Sequence, residues 1–448
     1  MNQKFFVRKK PAVSYRGIHL DLKGLPPSSG RLLSLVSLLR EARINCLLVE
    51  WEDMYPWSSY PFLRNETAYT RKTVECFLEK ARQAGIEVIP LVQSFGHLEN
   101  VLSRKPFRKL REIPSLVSDL CPSRPAAQEV ILNLVKDILE THGSLKYFHL
   151  GGDEVWSFGR CRSCRKKVAQ SGKAALYLAH LEPIFHFLDQ QGIRPIIWDD
   201  MVRDWPGAKL KTLAHQTDLM CWNYAADPFQ RLKRDTLERF VKAGCRLWAA
   251  SAFKGADGPY ADRPNLPVRL ANMAAWVQQA SEMKMVGVIA TGWSRYNTFV
   301  SPCESLEVSL DSLVLSAKIA WEGKVPDQPA SWAEKFLGFC QRKGLPVKSF
   351  FPCRLAAENL QCCREKVFQE VKSYLHQAHL VGEPERINPF RIKQAKQILK
   401  DSLEKVEKLA REWQKSHQGQ VPAIWLEKYF LSRTEPVRRL VDFILAAH

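Results

Sequence analysis

Eight short, largely apolar runs recur along the first three quarters of the chain, and amphipathic stretches separate most of them. The runs are Gly17–Leu22, Cys46–Glu50, Val88–Val92, Tyr147–Gly151, Pro195–Asp199, Leu219–Trp222, Arg246–Ala250 and Val286–Thr291. Helices are predicted over Arg31–Arg43, Arg71–Ala84, Ala126–Thr141, Ala174–Gln191, Phe229–Ala243 and Pro267–Met283, with Glu304–Ile319 following the last strand. Gly85, Gly192 and Gly244 each sit just past a predicted helix, where a left-handed residue ends the turn. Strands alternating with helices form parallel sheets, and eight such units predict a closed (β/α)8 TIM barrel of about 320 residues. An open doubly wound sheet would want a Gly-rich phosphate loop after its first strand. Asp21-Leu22-Lys23-Gly24-Leu25-Pro26-Pro27 is not one.

After Pro326 the alternation stops. Long helical stretches are predicted at Ser331–Lys343, Arg354–Leu380 and Asn388–His417, and Gln418-Gly419-Gln420 reads as a break. The expected organisation is a catalytic barrel over residues 1–325 and a helical region over 326–448. No long flexible tether lies between them, so the second is expected to pack on the first.

Hydrophobic residues make up 46% of the chain and charged residues 25%, the balance of an ordinary globular protein. No apolar run approaches membrane-spanning length. The N-terminal Met1–Lys10 lacks a signal-peptide core, so a cytoplasmic location is expected, with the nucleus left open. The net charge of +19 is diffuse and accompanies no nucleic-acid motif, so no nucleic acid or membrane partner is expected. Oligomeric state is left open. The twelve cysteines are scattered, which predicts reduced thiols. Cys161-x-x-Cys164 has the spacing of half a zinc site, and Cys362-Cys363 is the pair considered for completing it. Adjacent cysteines suit zinc poorly and no spacing joins the two regions, so free thiols are the preferred reading and no metal or cofactor is expected.

In a barrel of this kind the active site gathers at the C-terminal strand ends. The fourth run feeds into Gly151-Gly152-Asp153-Glu154. Two glycines permit a sharp turn and a close ligand approach, and two adjacent carboxylates repel, so their environment must separate their protonation states. Other strand ends supply Glu50-Trp51-Glu52-Asp53, Gln93-Ser94-Phe95-Gly96-His97, Trp198-Asp199-Asp200, Trp222-Asn223-Tyr224 and Trp293-Ser294-Arg295-Tyr296. Aromatic plates suit the C–H face of a pyranose and carboxylates suit its hydroxyl rim. Sugar binding is therefore expected.

The His149–Glu154 stretch, with Arg16–Gly24, Gly96-His97, Trp198–Met201, Leu247–Gly255 and Thr291-Gly292-Trp293, resembles the family-20 glycoside hydrolases, the β-N-acetylhexosaminidases, over roughly residues 12–325. The 198–201 and 247–255 blocks are similar to the D-type branch and unlike the lysosomal one. The resemblance implies a retaining exo-glycosidase that removes terminal β-linked GalNAc or GlcNAc, with GalNAc preferred. Glu154 would be the general acid, and Asp153 would orient the substrate's 2-acetamido group, which itself attacks the anomeric carbon. Arg16 would hold ring hydroxyls, His97 would support the acidic pair, and Trp198, Trp222 and Trp293 would wall the pocket. Where lysosomal relatives carry a Trp-Tyr pair, this chain has Ser251-Ala252-Phe253, so Tyr224 or Tyr296 would contact the acetamido group. The alternative reading is a catalytically inactive barrel that binds amino sugars; the presence of both carboxylates argues against it.

Overall fold

The structure, a computed structural model, describes residues 5–297, 299–379 and 388–446. The eight strands are β1 (Tyr15–Asp21), β2 (Cys46–Glu50), β3 (Glu87–Leu91), β4 (Tyr147–His149), β5 (Arg194–Trp198), β6 (Asp218–Trp222), β7 (Leu247–Lys254) and β8 (Gly287–Gly292). They pair in sequence order, all parallel, and β8 closes on β1 through Tyr15–Ile18 against Gly287–Ala290. The fold is the TIM barrel that the alternation predicts.

Side chains alternate across each strand, and both faces are dry. On β2, Cys46 and Leu48 join the barrel interior with Ile89, Ile196, Trp198, Met220, Trp248 and Ile289, while Leu47 and Val49 face the surrounding helices. Burial on two sides is why the runs are almost continuously apolar in sequence. Tyr15, Tyr147 and Trp248 close the bottom of the barrel, with ring centroids 5.1 to 6.0 Å apart. The Trp248 indole donates to Asp218 at 3.1 Å, and Asp218 is held by Arg194 at 2.9 Å. With its floor filled, the barrel is a packed core.

Four differences from the sequence reading have local causes. The helix after β4 starts at Arg162, not Ala174, and continues to Gln190 across a break at Gly172 (φ 82°, ψ 164°). The 229–243 stretch divides into a short turn at Pro228–Gln230 and a helix at Arg234–Lys242. A helix at Gly207–Gln216 went unpredicted; of its residues only Leu210, Leu213 and Ala214 are buried, so its apolar stripe is short. A final helix, Ala423–Ala446, was also missed, and its interior Pro436 weakens any helical reading.

The helices Pro329–Arg342, Phe350–His379, Pro389–Ser416 and Ala423–Ala446 follow the barrel. Much of their apolar surface, including Trp413, Trp425 and Tyr429, gathers in a core shared with Leu25 and Val308 of the barrel. Polar contacts fix the docking. The Trp425 indole donates to Thr67 at 3.0 Å, and His417 meets Ser305 at 2.7 Å. Asp262, fully buried in the loop after β7, binds Arg364 and Arg433 at 2.6 Å each and accepts the Tyr429 hydroxyl. Removing one partner of such a cluster strands buried charge. Asp262→Ala is expected to lower unfolding free energy by about 3–5 kcal/mol, read by urea denaturation; a loss below about 1 kcal/mol, the scale of an exposed pair, would contradict this docking.

Candidate active site

β4 stops at His149, and the chain turns through Gly151 (φ 59°) and Gly152 (φ 86°). A Cβ on Gly151 would run into the Gln93 side chain, and one on Gly152 into the Tyr177 hydroxyl. That hydroxyl donates to the Gly152 carbonyl at 3.0 Å. Neither position has room for a larger residue. Glu154 then adopts a left-handed φ of 47° and His97 one of 54°, conformations that cost non-glycine residues energy and that cluster at functional sites. The Glu154 N–H donates to Asp200 Oδ2 at 3.0 Å, which holds the turn.

His97, Asp153 and Glu154 line a cavity of about 260 Å3 at the C-terminal mouth of the barrel, together with Lys23, Gln93, Trp198, Trp222, Tyr224, Gly255, Trp293 and Tyr296. The volume suits about one sugar ring. Asp153 is 5% exposed, and its Oδ1 has no hydrogen-bond partner among the described residues; neither do Gln93 Oε1, Trp198 Nε1 and Trp293 Nε1. Buried polar atoms left this way are ready to bind a ligand. His97 Nε2 lies 3.6 Å from Asp153 and 3.3 Å from Glu154. Burial pulls the His97 pKa down, but the Asp153 charge and hydrogen bonds to both carboxylates outweigh it and hold it well above the ordinary value. The two acids therefore favour the protonated form of His97.

The tryptophans meet as a wall. Trp198 packs 4.5 Å from His149 and 6.1 Å from Trp293. Trp222 stacks on Tyr224 at 5.3 Å, and Tyr224 meets Trp293 edge-on at 6.5 Å. Lys254, at the end of β7, donates to the Trp293 carbonyl at 2.6 Å and fixes that loop. Tyr224 is half-buried between Trp222 and Trp293. Tyr296 is 38% exposed, and its hydroxyl accepts the Gly258 N–H at 3.0 Å.

One predicted residue falls elsewhere. Arg16 is the second residue of β1, five positions before Asp21, which places it about 16 Å below the mouth. Its guanidinium donates to the carbonyls of Val13, Ser14 and Arg43 and stacks on Trp321 at 4.9 Å. Arg16 closes the bottom of the barrel and does not reach the cavity. Lys23 does reach it, 4% exposed, with Nζ 3.0 Å from Asp21 and 2.9 Å from Glu50. Burial opposes its charge, but Asp21, Glu50 and Glu52 outweigh that and keep Lys23 protonated. Its position just past the end of β1 was the available signal. Gln93, which donates to Glu50 at 3.2 Å, and Asp200 were likewise visible at strand ends without an assigned role.

Burial, reinforced by the neighbouring Asp153 charge, pushes Asp200 up to about 7. Its unfolded value is near 3.9, so the folded chain keeps this proton longer. The stabilisation from that difference is complete below about pH 4 and is lost as pH rises through about 7. Asp200→Asn is expected to leave Tm unchanged near pH 4.5 and to raise it relative to the parent near pH 8. An equal Tm shift at both pH values would contradict a buried, late-ionising Asp200.

The sequence pattern of the glycosyl hydrolase family 20 catalytic domain matches residues 14–297, the span that builds the barrel and this mouth. The chain belongs to glycosyl hydrolase family 20. Among relatives, this family-20 protein is 34% identical to hexosaminidase D of Bos taurus over 72% of its own length and 96% of the relative's. It is 33% identical to hexosaminidase D of Homo sapiens over 72% of its length and 69% of the relative's. Among solved structures, a β-N-acetylhexosaminidase from Bacteroides fragilis superposes with a TM-score of 0.57 at 16% identity, over 75% of this chain and 73% of that one. A Flavobacterium johnsoniae chitobiase superposes with a TM-score of 0.59 at 14% identity, over 97% of this chain and 72% of that one. These two likenesses concern the fold.

Proposed function

We propose that this family-20 glycoside hydrolase is a retaining exo-β-N-acetylhexosaminidase working by substrate-assisted catalysis. The observation that carries the reading is the Asp153–Glu154 pair, bridged by His97, inside a tryptophan-walled cavity the size of one sugar ring. Glu154 protonates the departing glycosidic oxygen. Asp153 accepts the N–H of the substrate's 2-acetamido group through its unpartnered Oδ1, which turns the acetamido oxygen toward the anomeric carbon. That oxygen attacks as the leaving group departs and gives an oxazolinium ion, whose positive charge Asp153 stabilises. Water, deprotonated by the Glu154 carboxylate, then enters from the face the leaving group vacated, so configuration is retained. Conventional retaining glycosidases place a second carboxylate about 5–5.5 Å from the acid as nucleophile. Among the described residues, the carboxylates lining this cavity are the adjacent Asp153 and Glu154, which favours an internal nucleophile, and family 20 is known for this departure from the two-carboxylate scheme.

In this reading Trp198, Trp222 and Trp293 cover the apolar ring face, Lys23 and Gln93 meet the hydroxyls, and Tyr224, packed between Trp222 and Trp293, contacts the acetamido oxygen. A preference for GalNAc over GlcNAc rests on the likeness to hexosaminidase D. Paired kcat/KM values for chromogenic β-N-acetylgalactosaminide and β-N-acetylglucosaminide at neutral pH test it, and a higher value for the gluco substrate would reverse it. Tight binding of the amino sugar with no hydrolysis of either substrate would point instead to an inactive sugar-binding barrel.

A further inference from the structure

The Cys161-x-x-Cys164 spacing finds partners that the sequence analysis did not consider. Cys363 is buried in the core of the C-terminal helices. Cys121 and Glu112, from the long loop after β3, come instead. One donor atom from each of Glu112, Cys121, Cys161 and Cys164 lies within 4.8 Å of every other. Cys121 Sγ is 3.6 Å from both Cys161 Sγ and Cys164 Sγ, and Cys164 Sγ is 3.3 Å from Glu112 Oε2. A tetrahedral zinc ion with Zn–S near 2.3 Å and Zn–O near 2.0 Å separates its ligands by about 3.8 Å (S to S) and about 3.5 Å (S to O). The donors stand close to the edges of that tetrahedron.

We propose that Glu112, Cys121, Cys161 and Cys164 form a structural zinc site that clamps the loop after β3 to the loop after β4. Four protein ligands close the coordination shell and leave no place for substrate or water, the pattern of a structural site. Three soft sulfurs favour zinc over the hard cations magnesium and calcium. The set is held in place before any metal arrives. Cys161 caps the Arg162–Gln190 helix, and its sulfur accepts the Cys164 N–H at 3.3 Å. Its own N–H donates to Glu112 Oε1 at 2.8 Å. Ser123 Oγ is 3.0 Å from Cys164 Sγ. Glu112, Cys121 and Cys164 are each at most 2% exposed, and half-buried Cys161 leaves a route in. A disulfide between any two of the thiols would strand the third thiol and the Glu112 carboxylate in a dry pocket.

The position gives the clamp a purpose. β3 and β4 pair in the sheet only through Leu91 and His149. Beyond that pair the chain continues as two loops, joined by the Ser94 hydroxyl donating to the Leu150 carbonyl at 2.6 Å, one carrying His97 and the other Asp153 and Glu154. Leu120, beside Cys121, donates from its backbone to the Phe95 carbonyl at 2.9 Å, and Asp119 accepts the Ser157 N–H at 2.6 Å. A metal joining residues 112 and 121 to 161 and 164 therefore ties together the segments that set the distance from His97 to the carboxylates.

The test is elemental analysis of the full chain purified without chelator, with a cobalt probe on the same protein. The expected result is about one zinc per chain. After chelation under reducing conditions, Tm should fall, and reconstitution with cobalt(II) should give thiolate-to-cobalt charge transfer with the intense d–d absorption of a tetrahedral site. Cys164→Ser should cut metal affinity about tenfold or more, whereas the exposed Cys362→Ser should leave it unchanged. Three results would overturn the proposal: no zinc on purification and no cobalt spectrum on reconstitution, full zinc stoichiometry in Cys164→Ser, or an intramolecular disulfide among these cysteines in metal-free protein as isolated. The cobalt spectrum of the parent decides the matter even where Cys164→Ser does not fold, and none of these readouts depends on glycosidase activity.

Discussion

Glu154→Gln is expected to lower kcat on an alkyl or sugar β-N-acetylhexosaminide by about 10²–10⁴-fold, the range that a positioned general acid contributes. The glutamine preserves the size of the side chain and the backbone N–H bond to Asp200, so the fold and the substrate-binding walls stay as they are. What disappears is the proton for the leaving oxygen. The loss should therefore scale with the need for that proton. A dinitrophenyl glycoside, whose leaving group departs as a stable anion, should be cleaved by the variant with a much smaller deficit, whereas an alkyl or sugar leaving group should show the full one. Equal deficits across leaving groups would remove Glu154 from the acid's role, and an unchanged kcat would remove it from catalysis.

Asp153→Asn is expected to cost about 10²–10³-fold in kcat, the scale of losing one group aimed at charge that develops in the transition state. Its signature differs from that of Glu154→Gln. Asp153 acts on the acetamido group and the oxazolinium, so its loss should be nearly independent of leaving-group acidity. The loss should appear in kcat and kcat/KM alike, as for an interaction made only in the transition state. The substitution also removes the charge that does most to raise His97, so the histidine should titrate at lower pH in the variant, observable by NMR of its ring protons. A deficit that tracked leaving-group acidity would place Asp153 on the leaving-group side of the sugar and overturn the assignment of the two carboxylates.

The barrel was legible because each strand is buried on two faces: Cys46–Val49 has no polar residue to blur the run, and the glycines at 85, 192 and 244 take the positive φ that ends the preceding helix. The acidic pair was legible because the Gly-Gly turn has a steric cause, the Gln93 and Tyr177 side chains packed against it. Arg16 shows where local reading fails. Arg16 and Lys23 stand near opposite ends of the same strand and both are basic, and only the closure of the barrel shows that one end is a plugged floor and the other a mouth. The union of Cys121 with Cys161 and Cys164 was hidden for a related reason, since about 40 residues and a strand separate them and no spacing rule spans that gap. The Gly207–Gln216 and Ala423–Ala446 helices were lost because one buries too few residues to set a period and the other carries Pro436.

The most direct test of the central claim is a series of chromogenic β-N-acylgalactosaminides in which the acetyl methyl bears zero to three fluorines. If the substrate's own amide oxygen is the nucleophile, each fluorine drains its electron density and kcat/KM should fall steeply along the series, by orders of magnitude from first to last. A flat series would mean that some other group attacks the anomeric carbon, and the mechanism proposed for Asp153 and Glu154 would be wrong.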